Sequence, residues 1–399
     1  MEQRYDERGE YVIWGAGRLG KAAYAYYGDY VNIAFFIDSD EKKEGQTLNG
    51  RPVFLPDILY SQKKKVIIAI QNHRDEVVER LVEQYHIQEY IMFGVNQVSA
   101  YMDGKSNDRM DRSSLIICCS SGLGNQMFQY ALYRSLKEQG KNVYLDITSF
   151  DFPGKRKFLL TDVFPDLPIN MCNEAQMMRF VHNCCGEFPK LKNFQVFVEA
   201  SPSEQRVKTC DKRLLDLENG IVKGYHQCYQ YAQEIRDILL EEMVFRKTND
   251  KGLMTITDKM SSENAVSIHI RRSDYLEGNS KVSLGEVCTL DYYKNAIKYL
   301  HNRNRASTVY FFSDDMQWVK ENLVLKDAVY VEREMFDAYE DWYDMYLMSL
   351  CKDNIIANST FSWWGAWLNQ NPDKVVIAPK VWNNLCDYQD ICPPDWVRI

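Results

Sequence analysis

The chain has 399 residues, 45% hydrophobic and 26% charged, with a formal net charge of −8. This length predicts two or three domains with ample material for buried cores, and the acidic balance argues against a surface built to coat nucleic acid. No stretch reaches the ~18 uninterrupted apolar residues of a membrane-spanning helix, and the charged start Met1–Arg8 leads into no signal-peptide core. We therefore expect a cytoplasmic protein, with peripheral contact at the inner face of the membrane left open. The 11 cysteines are odd in number and lack CxxC zinc spacing, so reduced, mostly buried thiols are expected rather than a disulfide framework.

In chain order, the first block runs to about residue 100. The run Tyr11–Trp14 reads as a buried strand leading into Gly15-Ala16-Gly17-Arg18-Leu19-Gly20 and a helix. A second apolar run, Ile33–Ile37, ends at Asp38, and further strands are predicted at Lys65–Ile70 and Tyr90–Phe93, with a charged helix around Asp75–Gln84. Short apolar strands alternating with helices predict a small parallel sheet. Gly15, Gly17, Gly20 and Asp38 fit the dinucleotide fingerprint and its ribose-binding acid. A nucleotide ligand and a purely docking or stabilising role both remain open for this block. Lys63-Lys64-Lys65 reads as a solvated loop. Residues 101–113 are polar and pattern-free, and are expected to be a linker.

The second block, 114–255, opens with the strand Leu115–Cys119 and the turn Ser120-Ser121-Gly122-Leu123-Gly124-Asn125-Gln126. Behind it Met127, Phe128, Ala131, Leu132, Ser135 and Leu136 recur at helical spacing. A strand, a glycine turn and a helix start present free backbone N–H groups and the positive end of a helix dipole to a phosphate. Such turns also arise for steric reasons. Asn125 and Gln126 are expected to add polar side chains at the rim of a cleft. A long helix is predicted around Ala232–Val244.

The third block, 256–399, has predicted strands at Ala265–Ile270, Thr308–Phe312, Asn354–Ala357 and Lys374–Ala378. In the first of these Val266, Ile268 and Ile270 alternate with Ser267 and His269, which predicts one apolar and one polar face. It ends in Arg271-Arg272-Ser273-Asp274-Tyr275, and two guanidinium forks at a strand end suit a diphosphate. Pairing of either arginine with Asp274, and a core role for His269, are the plainer alternatives. Asp314 and Asp315 close the next strand, where a carboxylate accepts from a base or ribose or caps the following helix. The run Asn358-Ser359-Thr360-Phe361-Ser362 opens a helix whose hydroxyls cap it, bind phosphate, or do both. Trp363, Trp364 and Trp367 read as helix-packing core.

Together, Ser121–Ala131, Gly224-Tyr225-His226-Gln227, His269–Tyr275, Phe311–Asp315, Asn358–Leu368 and the closing Cys392–Ile399 resemble the α-1,2-fucosyltransferases of glycosyltransferase family 11. The motifs stand in the family's order and span residues 114–399. The resemblance implies an α/β fold of GT-B type, two facing Rossmann-like units, preceded here by the small Rossmann-like block. It also implies GDP-L-fucose as donor substrate, no cofactor or metal requirement, and inverting transfer to the 2-hydroxyl of a terminal galactose in a glycan or lipid-linked precursor. On this chain the resemblance puts the diphosphate on Arg271 and Arg272, guanine or ribose near Asp314 with Asp315 beside it, and the phosphate pocket at Asn358, Ser359, Thr360 and Phe361. Gly122, Gly124, Asn125 and Gln126 would reach across from the other half, making 114–255 the acceptor side and 256–399 the donor side. The family often has Gly where this chain has Ser121.

A general base would help to deprotonate the acceptor hydroxyl. Asp274 is the nearest candidate, with His269 and Glu277 as alternatives. Asp38-Ser39-Asp40 resembles the DxD of metal-dependent transferases but lies in the wrong block. A nicotinamide-dependent oxidoreductase would leave the second and third blocks unexplained, and the paired arginines speak against a sugar-nucleotide-binding regulator that has lost catalysis, an alternative that turnover decides. A GT-B transferase with a different donor sugar remains the serious rival, and the oligomeric state is not legible.

Overall fold

A computed structural model describes residues 10–27, 31–70, 73–88, 90–93, 114–151, 156–172, 195–305 and 308–399. The linker expected at 101–113 lies outside them. The chain divides into two compact units, 1–113 with 172–194, and 114–171 with 195–399.

In the first unit β1 (Glu10–Trp14), α1 (Arg18–Tyr27), β2 (Asn32–Ile37), β3 (Thr47–Leu48), β4 (Arg51–Phe54), β5 (Lys65–Ile68) and β6 (Tyr90–Met92) follow in order. The strands form one sheet, β3-β4-β2-β1-β5-β6, parallel except for the β3–β4 hairpin. Strand β1 is flanked by β2 through α1 on one side and by β5 on the other, so the chain reverses direction across the sheet at the carboxyl end of β1. Alternating residues of the central strands pack into two clusters, one on each face: Ile13, Phe36 and Ile67 on one, Trp14, Ile37 and Ile68 on the other. The charged helix expected over 75–84 is α-helical at Arg74–Glu79 and continues as a π-turn over Arg80–Gln84.

The second unit holds two parallel sheets. Strands β7 (Leu115–Cys118), β8 (Val143–Asp146), β9 (Gln195–Val198) and, after the short β10 (Val207–Lys208), β11 (Gly220–Lys223) make the first, in the order β8-β7-β11-β9. Strands β12 (Ala265–Ile270), β13 (Thr308–Ser313), β14 (Val329–Tyr330), β15 (Asp353–Ile355), β16 (Val376–Ala378) and, past β17 (Asp387–Tyr388), β18 (Val397–Arg398) make the second, in the order β14-β13-β12-β15-β16-β18. Parallel strands need crossovers: the helix over 123–138 joins β7 to β8, and helices join β12 to β13, β13 to β14, β14 to β15 and β15 to β16. Two such Rossmann-like halves, touching through helices that start at their carboxyl edges, are the GT-B architecture.

Strand β12 departs from its sequence reading. Every residue of β12 is buried, because it lies between β13 and β15 in the middle of the sheet. Ser267 is accommodated there by accepting from Asn354 Nδ2 at 2.7 Å. The long helix expected near 232–244 is two short ones, Tyr229–Gln233 and Arg236–Glu242. Ile235 leaves helical geometry at φ −120°, ψ 31°, and Arg236 is drawn instead onto Trp367, stacking 4.4 Å from its ring and donating to its carbonyl at 3.0 Å.

Candidate active site

Helix α2 (Leu123–Glu138) starts at the carboxyl end of β7 with Gly122 at its N-cap, where no side chain caps it. Helix α3 (Met316–Asn322) follows β13, and α4 (Thr360–Leu368) follows β15 with Ser359 at its N-cap, again without a side-chain cap. The first N–H groups of a helix have no intrahelical acceptor, so α2 and α4 each present donors and the positive end of a dipole. The two starts lie against each other. A Cβ on Gly124 would stand 2.6 Å from the carbonyl carbon and Oγ1 of Thr360 and 2.7 Å from the amide nitrogen of Phe361, so only glycine permits this approach. Trp364 Nε1 locks it by donating to Gly124 O at 3.0 Å. Trp363, Trp364 and Trp367 are core, as their spacing predicts, and Phe128 of α2 packs on the first two.

Beside these helix starts is the arginine turn after β12. Arg271 Nε donates to Asp274 Oδ1 at 2.9 Å and lies 3.2 Å from Asp314 Oδ2. Arg272 Nε donates to Asp315 Oδ2 at 3.1 Å, and its guanidinium carbon lies over Trp318, 4.0 Å from the ring centroid. Both arginines are therefore gripped at Nε, and among the described residues their Nη atoms, the fork that binds phosphate oxygens in bidentate fashion, make no hydrogen bond. The pairing of arginine with Asp274 and the binding of a diphosphate, alternatives in the sequence, are compatible in this geometry.

Asp314 holds the turn from below. Its carboxylate accepts from the amides of Arg272 at 2.9 Å and Ser273 at 3.2 Å, so any contact with guanine or ribose has to share an oxygen already in use. Asp315 caps α3 by accepting from the Trp318 amide at 3.2 Å. A 150 Å³ cavity opens here, lined by Arg271, Arg272, Tyr275, Glu286, Cys288 and Trp318 among others. It is smaller than the ~300 Å³ or more of a complete small-molecule site, and so fits one part of a larger ligand. A larger apolar cavity of 370 Å³ lies between Leu240, Phe245 and Tyr346, with no charged residue in its lining.

Several expected site residues are buried and bonded within the fold. Gln126, expected at the cleft rim, is fully buried. Its Nε2 donates to Ser121 O at 2.8 Å and Lys157 O at 2.9 Å, and its Oε1 accepts from the Leu159 amide at 2.9 Å, so it ties two loops together. Asn358 is likewise buried, with Nδ2 donating to Leu284 O at 3.1 Å and Trp382 O at 3.2 Å. His269 is buried, its ring centroid stands 6.0 Å from that of Phe361, and among the described residues Nδ1 has no hydrogen-bond partner. Burial, helped by the nearby Arg271 charge, pushes its imidazole down to about 3. A base in that position faces the core.

Asn125 joins the glycine turn to the segment after β11. Its Nδ2 donates to Ser121 Oγ at 3.1 Å and its Oδ1 accepts from Gln227 Nε2 at 2.8 Å. The segment Gly224–Gln227 lies at the carboxyl end of β11, next in the sheet to the glycine turn, and Gln129 joins the two by donating to Gly224 O at 2.7 Å. Ser121 has φ 73°, which accounts for the glycine common at this place in the family. Residues that carried no sequence assignment but belong to the site are Gln227, Trp318, Tyr275, whose hydroxyl donates to Asn358 O at 3.1 Å, and Arg156. The first three lie within or beside recognisable motifs. Arg156 lies in none.

In the first unit Gly17 faces open space, with nothing within 4 Å of a Cβ placed there, while Gly15 and Gly20 are closed by backbone. Asp38 braces this loop. It accepts from the Ala16 amide at 2.8 Å, from Lys43 Nζ at 2.8 Å and from the Asp40 amide at 3.0 Å. Burial alone would raise its carboxyl, but these donors outweigh it and hold it below the usual range. Asp40 caps the short turn after it through the Lys42 amide. Among the described residues no three His, Cys, Asp or Glu side chains gather as a metal-holding group, and no helix is long and apolar enough to cross a membrane.

Comparison with known proteins places the chain among glycosyltransferases. The model of the glycosyl transferase family 11 matches residues 207–399. The O-antigen biosynthesis glycosyltransferase WbnK of Escherichia coli is 33% identical over 311 residues, covering 71% of this chain and 99% of that one. The alpha-1,2-colitosyltransferase of Escherichia coli is 30% identical over 72% of this chain and 99% of its own length. The galactoside alpha-(1,2)-fucosyltransferase 1 of Saimiri boliviensis boliviensis is 30% identical over 114 residues, 28% of this chain and 31% of that protein. With nearly the whole of two relatives matched at 30% identity or more, the chain belongs to glycosyltransferase family 11.

Proposed function

We propose that the chain is an inverting galactoside α-1,2-L-fucosyltransferase that moves fucose from GDP-L-fucose to the 2-hydroxyl of a terminal galactose in a glycan or lipid-linked precursor. The observation that carries this reading is the convergence of two Nε-anchored arginines with two uncapped helix starts. As the bond between the sugar carbon and the diphosphate breaks, its electron pair leaves with GDP, and positive charge develops on the sugar. Fixed guanidinium and amide donors stabilise the leaving diphosphate without needing a metal ion. The acceptor oxygen attacks the opposite face, giving the α-linkage from a β-linked donor, and its proton passes to a general base.

Asp274 is the base in this reading. Its Oδ1 is taken by Arg271, and its side chain is 44% exposed, whereas His269 is buried. Glu277, at the N-cap of the following short helix, lies on the same loop and is the second choice. Residues 256–399 are the donor side and 114–255 the acceptor side, with 1–100 an accessory Rossmann-like domain. The open face above Gly17 is where a nucleotide phosphate would lie in that domain, while a ribose would have to displace a donor from Asp38.

The experiment is GDP release from GDP-L-fucose with a chelator present and lactose or N-acetyllactosamine as acceptor, with the anomer of the product read by NMR. Acceptor-stimulated, chelator-resistant release with an α-1,2 product is the expected result. Absence of release above an Arg271→Ala control, together with turnover of nucleotide-activated colitose, would favour the second reading. That reading rests on the colitosyltransferase relative.

A further inference from the structure

Arg156 comes from the first half of the second unit and lies over the arginine turn of the other half. Its guanidinium crosses the start of α2, where a Cβ on Gly122 would stand 3.2 Å from Nη1. On the far side Nη2 is 3.7 Å from Asp274 Oδ2, with the two side chains 62% and 44% exposed. That separation is beyond hydrogen-bond range, and an exposed pair of this kind holds weakly. The contrast with its neighbours is the point. Arg271 and Arg272 are each anchored by an Nε bond of 3.1 Å or less, and among the described residues Arg156 has no such tether to a carboxylate.

The charges in the site give this contrast a meaning. Arg156, Arg271 and Arg272 face Asp274, Asp314 and Asp315, so their six formal charges cancel before any ligand arrives. A diphosphate adds net negative charge, and the group best able to turn toward it is the cation least firmly held. We infer that Arg156 is a donor-binding residue supplied by the acceptor-side half. When a nucleoside diphosphate donor binds, its guanidinium leaves Asp274 for the diphosphate. The same movement uncovers Asp274 Oδ2, whose other oxygen stays with Arg271, so donor binding readies the carboxylate for the acceptor hydroxyl. This rests on the proposed nucleoside diphosphate donor.

The test is calorimetric titration of the full chain, Arg156→Ala and Arg156→Lys with GDP and with GMP, alongside kcat and KM for donor. Arg156→Ala is expected to weaken GDP by about tenfold, the loss of one charge-assisted contact, and GMP by less than about threefold. It should lower kcat as well as raise KM, with Arg156→Lys recovering part of both. The exposed position predicts an unchanged melting temperature. GDP binding by Arg156→Ala within twofold of the unmodified chain, with kcat unchanged, would overturn the inference alone. Failure of the unmodified chain to bind GDP at all would overturn the donor reading and this inference together.

Discussion

Trp364 donates its indole N–H to the carbonyl of Gly124 at 3.0 Å, bridging 240 positions of chain at the place where the two Rossmann-like halves meet. The bond fixes the start of α2 beside the start of α4, and both helix ends depend on the missing side chain of Gly124. Gly124→Ala would put a methyl 2.6 Å from Thr360. We expect it to lower stability by about 1–3 kcal/mol and to weaken GDP binding more than an equally destabilising core substitution elsewhere. Thermal melts paired with GDP titration check this, and unchanged GDP affinity would separate the helix contact from the donor site.

Ser121 occupies left-handed backbone at φ 73°, which a Cβ disfavours, and its hydroxyl offsets part of that cost by accepting from Asn125 Nδ2. Ser121→Gly and Ser121→Ala both remove the hydroxyl, so their difference isolates the backbone. Ser121→Ala should be less stable than Ser121→Gly by about 1 kcal/mol. Equal melting temperatures would show that the turn relaxes to accept a side chain.

Asp274→Asn keeps the shape of the carboxylate but not its basicity. It is expected to lower kcat by roughly 10²–10⁴-fold, with the melting temperature unchanged because the side chain is partly exposed. A loss below about tenfold would transfer the base role to Glu277, which the corresponding Glu277→Gln variant would then reveal.

Burial pushes the imidazole of His226 down to about 4 and that of His269 to about 3. Neither should gain a proton between pH 5 and 8. NMR of histidine-labelled protein is expected to show their ring signals flat across that range while exposed His73, raised by its bond to Glu76, titrates. A midpoint near 6.5 for His269 would mean that water reaches its ring.

Asp344 is half-buried, and the desolvation of its carboxyl raises it from 3.8 to about 7. Its Oδ1 is enclosed and has no hydrogen-bond donor among the described residues. The unfolded chain releases this proton near pH 4 and the folded chain only near 7, so the unfolded state binds fewer protons in between. Stability from this group therefore falls as pH rises from 4 to 7, by on the order of 4 kcal/mol at the limit. Asp344→Asn should gain melting temperature over the unmodified chain at pH 8 compared with pH 5. A gap between the two that does not change with pH would contradict the raised value.

Short-range pattern was enough to read the strands, the glycine turn, the paired arginines and the order of the family motifs. Each of these is set by residues close together in the chain: apolar runs for β1, β7 and β12, helical spacing behind Gly124, and Arg271 beside Arg272. Local pattern failed where the outcome depended on what else arrives. His269 and Ser267 read as a polar face, yet β12 ends up between two strands and under helices, so both are buried. Gln126 and Asn358 read as substrate ligands, yet loops 31 and 74 positions away take up their amides. Arg156 carried no signal, because its place over Gly122 and beside Asp274 exists only once two distant segments meet. Sequence by itself determined the family, the α/β character and the chemical types in the site. Tertiary structure decided which of those side chains face the cleft, since hydrogen-bond partners and burial are properties of contacts between distant residues and no local pattern encodes them.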